Sequence, residues 1–177
     1  AYLPVLVVDD GSLDQTACLA EQAGAVVLRQ YPNQGKGAAL RTGMRHALES
    51  GWDAVVTLDA DGQHPVEIIP EMISLSKNNP TMIVIGNRFN DSKKEMPIHR
   101  QLSNRCSSYL ISKLIKQDVP DAQCGMRIYP LAQMKTMKAT SDGYEFETEV
   151  LIHARKKQIP VVNVSIPCQY PSGTLGS

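Results

Sequence analysis

A chain of 177 residues, 42% hydrophobic and 20% charged, has the length of one domain and enough apolar material to bury a core. Lys+Arg 18 against Asp+Glu 18 leaves no net field to attract polyanions, so nonspecific nucleic-acid binding is excluded and no nucleic-acid partner is expected. Cys18, Cys106, Cys124 and Cys168 are scattered with no C-x-x-C pair, which argues against a zinc site or a disulfide framework and for a reducing cytoplasm.

Apolar runs of strand length at 3–8, 25–28, 54–58, 82–86 and 161–166 alternate with segments of helical period at 14–23, 37–49, 66–77, 98–116 and 144–157. This alternation predicts an α/β domain with a largely parallel central sheet, occupying 1–177 as one unit. The strand-like run almost at residue 1 and the closing PSGTLGS make the chain read as a piece of a longer protein. No run approaches the roughly 20 apolar residues that span a bilayer. The polar, proline-terminated stretch at 90–97 reads as a mobile surface loop.

In open parallel sheets ligands gather at the carboxyl ends of strands. VVDDGS closes the first strand there: Gly11 permits a turn, and Ser12 or Asp14 can cap the next helix. Capping does not account for Asp9 beside Asp10, and a carboxylate at that edge suits a base or ribose, so one of the two is expected to read a nucleotide. In NQGKGAALRTG, glycines flank Lys36 at a helix start, which suits phosphate; plain turn chemistry explains the glycines equally well.

The stretch LDADGQHP carries more. With the chain extended, Asp59 and Asp61 point the same way, and Gly62 turns the backbone so that the Gln63 carbonyl comes alongside. Two carboxylates and an amide oxygen form a hard donor set for Mg²⁺ or Mn²⁺, which keeps places for a substrate diphosphate. The plainer alternative is an Asp-rich turn with Pro65 opening the next helix. His64 reads as a loop residue. Arg88, Arg100, Arg105 and Arg127 are each ordinary surface residues alone, and together could receive an anionic substrate. In DGYEFETE, Asp142 and Glu145 fit a capping box, leaving Glu147 and Glu149 as base or acceptor contacts.

VVDDGSLDQT, N-x-G-K-G-A-A, LDADGQHP, IGNRF and DAQCGMRIY, in this order across 5–166, resemble the family-two inverting glycosyltransferases, and within them the dolichyl- or polyprenyl-phosphate sugar transferases. The resemblance implies a nucleotide-binding GT-A fold whose usual first strand this chain lacks. It implies that Asp10 contacts the nucleobase, that Asp59 and Asp61 face ribose and diphosphate, and that Asp61 with Gln63 holds the metal. Arg88, Arg100 and Arg127 would bind donor or acceptor phosphates, with Gln123 to Arg127 lining the acceptor side. Asp61, Arg127 and Glu147 are the expected catalytic set, and Asp9, Asp10, Ser12, Lys36 and Asp59 the expected nucleotide set.

The reaction so implied is metal-dependent transfer from a UDP- or GDP-sugar to a polyprenyl or dolichyl phosphate. A saccharide hydroxyl acceptor and a non-catalytic sugar-nucleotide-binding module are the alternatives. AVVTLDADG also resembles the nucleophile strand of haloacid-dehalogenase phosphatases, but there the acidic pair comes late, whereas Asp9-Asp10 comes first. Helix 98–116 mixes apolar residues with Arg100, Arg105, Lys113 and Lys116. It can lie on a membrane surface or face the core, so a peripheral contact at the inner face of a membrane accompanies the cytoplasmic expectation.

Overall fold

The computed structural model describes residues 3–90 and 98–167, with side chains from 102 onward in the second stretch. Of the loop expected at 90–97, residue 90 closes a short 3-10 turn (Arg88–Asn90) and 91–97 lie outside the described residues, as do the Arg100 side chain and Cys168.

The described residues form six strands and six α-helices: β1 (Leu6–Asp9), α1 (Thr16–Gln22), β2 (Val26–Arg29), α2 (Lys36–Glu49), β3 (Ala54–Thr57), α3 (Ile69–Asn78), β4 (Ile83–Asn87), α4 (Ile98–Ile115), β5 (Arg127–Pro130), α5 (Leu131–Thr136), α6 (Phe146–Lys156) and β6 (Val161–Ser165). The five expected strands and five expected helices are all present. The apolar run of β4 is buried at every position, as befits a strand covered on both faces.

β5 and α5 were not anticipated. β5 runs antiparallel between β3 and β4, giving the order β3-β5-β4-β6, with β4 and β6 parallel. Three of these four strands therefore share one direction, and the mostly parallel expectation holds. The sheet nevertheless comes in two parts, because β1 pairs only with β2 in a separate parallel ladder. Helix α2 packs against both β1 and β3. Among the described residues β1 and β3 each keep one unpaired edge, and both line a cavity of about 890 Å³, with Val8 and Val55 in its wall.

The core lies over the four-stranded part, where Met72, Ile83, Ile85, Ile128, Phe146 and Leu151 are essentially inaccessible. Each such side chain contributes about 1.5–3 kcal/mol by leaving water. β5 matters most for position. Arg127 sits in register with Thr57 of β3 and Ile85 of β4, so the segment entering β5, 121–126, arrives at the carboxyl ends of both strands.

Candidate active site

The first element of the site is a loop fixed by Asp10. Its two carboxylate oxygens accept the backbone N–H groups of Gln34 (2.8 Å) and Gly35 (2.7 Å), and Asn33 Nδ2 donates to the Asp10 carbonyl at 2.8 Å. Gly35, at φ 98°, then turns the chain into α2. A Cβ there would meet the Asp142 carbonyl oxygen at 2.5 Å, so only glycine fits. Asp10 thus positions a loop in this structure. Asp9 is buried and accepts the Ser12 N–H at 3.1 Å, closing the turn at Gly11.

At the start of α2 the second and third N–H groups are already taken rather than open to a phosphate. Gly37 and Ala38 both donate to the carbonyl of Asp142, at 2.7 and 3.1 Å. Arg41 holds the same segment through the Thr140 and Ser141 carbonyls and the Asp142 carboxylate. The expected capping box at α6 is also absent: no side chain caps that helix, and Asp142 is engaged by Arg41 instead. Glu149 accepts the Thr140 and Ser141 N–H groups at 2.9 Å each, which accounts for its carboxylate without an acceptor contact.

Lys36, the first residue of α2, reaches the acidic turn after β3. Its Nζ lies 2.7 Å from Asp59 Oδ1 and 3.1 Å from Glu147 Oε2. Burial opposes its charge, but the Glu147 and Asp59 carboxylates outweigh that penalty and raise its pKa above the ordinary 10.5. The charge that quiets Asp59 is therefore an ammonium supplied by the chain. The Tyr144 ring lies 5.7 Å from the same Nζ.

The D-x-D pair is not extended. β3 ends at Thr57, a turn follows at 60–61, and Gly62 takes φ 73°, so no extended strand carries the pair. Asp59 turns inward to Lys36. Asp61 is exposed, with Oδ1 accepting the Gln63 N–H at 3.0 Å. His64 is buried beneath the turn: Nδ1 accepts the Asp59 N–H at 3.4 Å, and Nε2 lies 3.8 Å from Cys124 Sγ. Burial pushes the His64 pKa below 6.5 despite the opposing carboxylates of Asp59 and Asp61, so the ring is neutral near pH 7. Pro65 precedes a short 3-10 turn, and it is Pro70 that occupies the first turn of α3.

Behind Asp59 stands Gly125. A Cβ at this position would lie 2.2 Å from Asp59 Oδ2, and the Gly125 carbonyl accepts the Thr57 hydroxyl at 3.0 Å. Cys124 beside it is an inert thiol, its pKa pushed up to about 12 by burial with Asp121 adding to the shift.

The arginines take different places from those the sequence suggests. Arg127 is wholly buried, and its N–H groups go to the carbonyls of Ala122 (2.6 Å), Cys124 (2.8 Å) and Glu147 (3.1 Å), with Nε 3.5 Å from Glu147 Oε1. Exposed acceptor binding does not fit that position; a strut beneath the 121–126 segment does. Arg88 forms a two-pronged pair with fully buried Asp121, Nε to Oδ2 at 2.7 Å and Nη2 to Oδ1 at 2.9 Å. Arg105 stacks over Phe89 at 5.3 Å. Gln123 donates to the Ser107 hydroxyl at 2.9 Å, joining the same segment to α4. Asp121, inside DAQCGMRIY, carried no expected role; His64 is a buried support rather than a loop residue; and Gly125, within the 123–127 stretch expected on the acceptor side, abuts Asp59.

The result is a line of alternating charge: Asp59, Lys36, Glu147, Arg127. Its open end carries Asp61 and Gln63. Among the described residues no three His, Cys, Asp or Glu side chains form a cage for a metal. Mg²⁺ and Mn²⁺ do not require one, since one or two carboxylates with substrate phosphates suffice. The exposed Asp61 carboxylate and the Gln63 amide fit that hard donor set.

The family model described as Glycosyl transferase family 2 matches residues 3–133. The chain belongs to this family. Among relatives of this family 2 domain is the UDP-N-acetylglucosamine–dolichyl-phosphate N-acetylglucosaminyltransferase of Methanococcus voltae, 29% identical over 96% of this chain and 76% of that protein. A dolichyl-phosphate β-glucosyltransferase, ALG5D, of Trichomonas vaginalis is 30% identical, over 92% of this chain and 53% of its own length. Glucosyl-3-phosphoglycerate synthase from Mycobacterium tuberculosis, solved with Mn²⁺, uridine diphosphate and glucosyl-3-phosphoglycerate, superposes with a TM-score of 0.68 at 22% identity, over 92% of this chain and 59% of that one. This likeness carries the GT-A fold. The chain spans about three-fifths of that synthase and about three quarters of the Methanococcus relative.

Proposed function

We propose that this family 2 glycosyltransferase domain moves a sugar from a UDP- or GDP-sugar to the phosphate of a polyprenyl or dolichyl carrier, inverting the anomeric centre. The observation that carries the reading is the turn after β3, where Asp61 stands exposed beside an Asp59 already neutralised by Lys36. The dolichyl-phosphate relatives support the acceptor class.

A Mg²⁺ or Mn²⁺ ion held by Asp61 with Gln63 would supply positive charge for the departing diphosphate. An acceptor phosphate oxygen attacks the anomeric carbon, the bond from that carbon to the diphosphate oxygen breaks, and its electron pair leaves on the nucleoside diphosphate. Lys36 lies at the same edge and adds a fixed cation against the charge that builds there. A phosphate monoester with a second pKa of about 6 is mostly dianionic at neutral pH, so the acceptor needs no general base. This agrees with the position of Glu147, held between Lys36 and Arg127 rather than free to take a proton. Asp10, His64, Gly125 and Arg127 are positioning residues: they fix, in turn, the Lys36 loop, the acidic turn, the Asp59 carboxylate and the segment behind it.

Calorimetric titration of UDP and of GDP with Mn²⁺, with Mg²⁺ and with a chelator tests the donor half. One nucleotide is expected to bind only with metal, and Asp61→Ala is expected to abolish that binding. Binding of both nucleotides unaffected by chelator or by the mutation sinks the assignment. Transfer of label to dolichyl phosphate in preference to a free saccharide tests the acceptor half.

A further inference from the structure

The charges behind the acidic turn balance one another within the chain. Lys36 Nζ bridges Asp59 and Glu147, and the Arg127 guanidinium stands on the far side of Glu147, so two carboxylates meet two cations. Asp61 is left over, exposed at the rim beside Gln63. Of the two carboxylates in the D-x-D turn, one is therefore occupied by the chain's own ammonium before any ligand arrives.

Both partners of that pair are held in place. Gly35 and Gly37, on either side of Lys36, lie so close to the 141–143 segment that a Cβ at either would run into a carbonyl oxygen. The Gly37 and Ala38 N–H groups donate to the Asp142 carbonyl, which fixes the backbone that carries the lysine. The Lys36 side chain is mostly covered, 21% exposed, and Gly125 backs the Asp59 carboxylate with no room for a Cβ between them. A divalent ion drawn to Asp59 would meet the ammonium at short range, and like charges in a partly covered site repel strongly. Asp61 with Gln63 offers one carboxylate and one neutral oxygen, and an ion that gives up its water reluctantly holds such a pair weakly. A diphosphate reverses the balance: its oxygens coordinate and neutralise the ion, and they give the Lys36 ammonium a further acceptor.

We infer that Lys36 is a built-in counter-ion that keeps free Mg²⁺ or Mn²⁺ off the acidic turn, so that the metal enters only together with a nucleoside diphosphate. The ligand taken by the site is then the metal-diphosphate complex, not a bare ion followed by a bare nucleotide. That second half rests on the transferase reading; the exclusion of the free ion by Lys36 does not.

Titration of Mn²⁺ in the absence of nucleotide tests it, read by calorimetry and by loss of the free ion's electron paramagnetic resonance signal. Lys36→Met is expected to bind Mn²⁺ at least about tenfold more tightly than the native protein, because Asp59 is released two residues from Asp61. The same substitution weakens nucleotide binding, so its two effects carry opposite signs, which general damage to the fold would not produce. Lys36→Arg keeps the charge and is expected to stay at the native Mn²⁺ affinity. Lys36→Met/Asp61→Ala is expected to lose the gain, placing the ion at the turn. Lys36→Gln serves if the methionine variant does not fold. Equal Mn²⁺ affinity in the native protein and the uncharged variant overturns the inference, as does a gain that survives Asp61→Ala. Metal-dependent nucleotide binding without that gain sinks the counter-ion alone; the gain without nucleotide binding sinks the transferase reading and leaves the exclusion of the free ion standing.

Discussion

At the residue scale, Lys36 and Gly125 set the state of Asp59 from opposite sides. One supplies a charge 2.7 Å away, and the other supplies the absence of a side chain. Lys36→Met removes a charged hydrogen bond that contributes about 1.5–3 kcal/mol, so nucleoside diphosphate affinity is expected to fall about tenfold or more by calorimetry. Gly125→Ala places a methyl group where Asp59 now sits. We expect the carboxylate to be driven from Lys36, with a stability cost of about 1–3 kcal/mol and a matching loss of metal-dependent nucleotide binding. An alanine variant with native melting temperature and native affinity would show that the Asp59 position is unimportant. Both residues lay within quoted motifs, yet their contact with Asp59 was not legible, because it joins 36, 59 and 125 through space.

At the element scale, β5 organises the site and was invisible in the sequence. Its four residues, RIYP, open on an arginine and close on a proline, which leaves only two apolar strand formers between residues that read as surface or turn. Arg127 is buried because three backbone carbonyls and the Glu147 carboxylate converge on it, a satisfaction that exists only once β5, α6 and the 121–126 segment have met. α5, at six residues, is too short to show a helical period. Arg127→Met is expected to destabilise by about 3–5 kcal/mol in denaturant unfolding, since it strands those carbonyls and leaves Glu147 buried with Lys36 alone. A change below about 1 kcal/mol, together with abolished transfer, would return Arg127 to a direct role in phosphate binding.

At the scale of the whole molecule, buried His64 and half-buried Lys36 set opposite limits on pH. The His64 pKa is depressed in the folded state, so the unfolded chain binds the extra proton first; stability is complete above about 6.5 and falls as pH drops through that window. The Lys36 pKa is raised, so its contribution is complete below 10.5 and is lost as pH climbs through the higher folded value. Melting temperatures across the range are expected to trace both shoulders. His64→Gln should flatten the acid shoulder between about pH 6.5 and 5, above the carboxylate range. An unchanged slope there would mean that His64 is solvated.

The sequence by itself determined the class of fold, because strand runs and helical periods are local patterns that recur every few residues whatever the chain does later. It also determined which groups stand at the ends of β1 and β3, since those carboxylates and glycines are written contiguously. Only the tertiary structure decided how those groups are used. Past β3 the chain turns at 60–61, with Asp59 held by Lys36 and Asp61 left exposed, and segment 140–143 covered the start of α2. The antiparallel insertion of β5 brought Gly125 and Arg127 beneath residues nearly 70 positions earlier. Each is a long-range contact, and the free energy that selects it comes from charge pairing and burial between segments whose local patterns carry no record of one another.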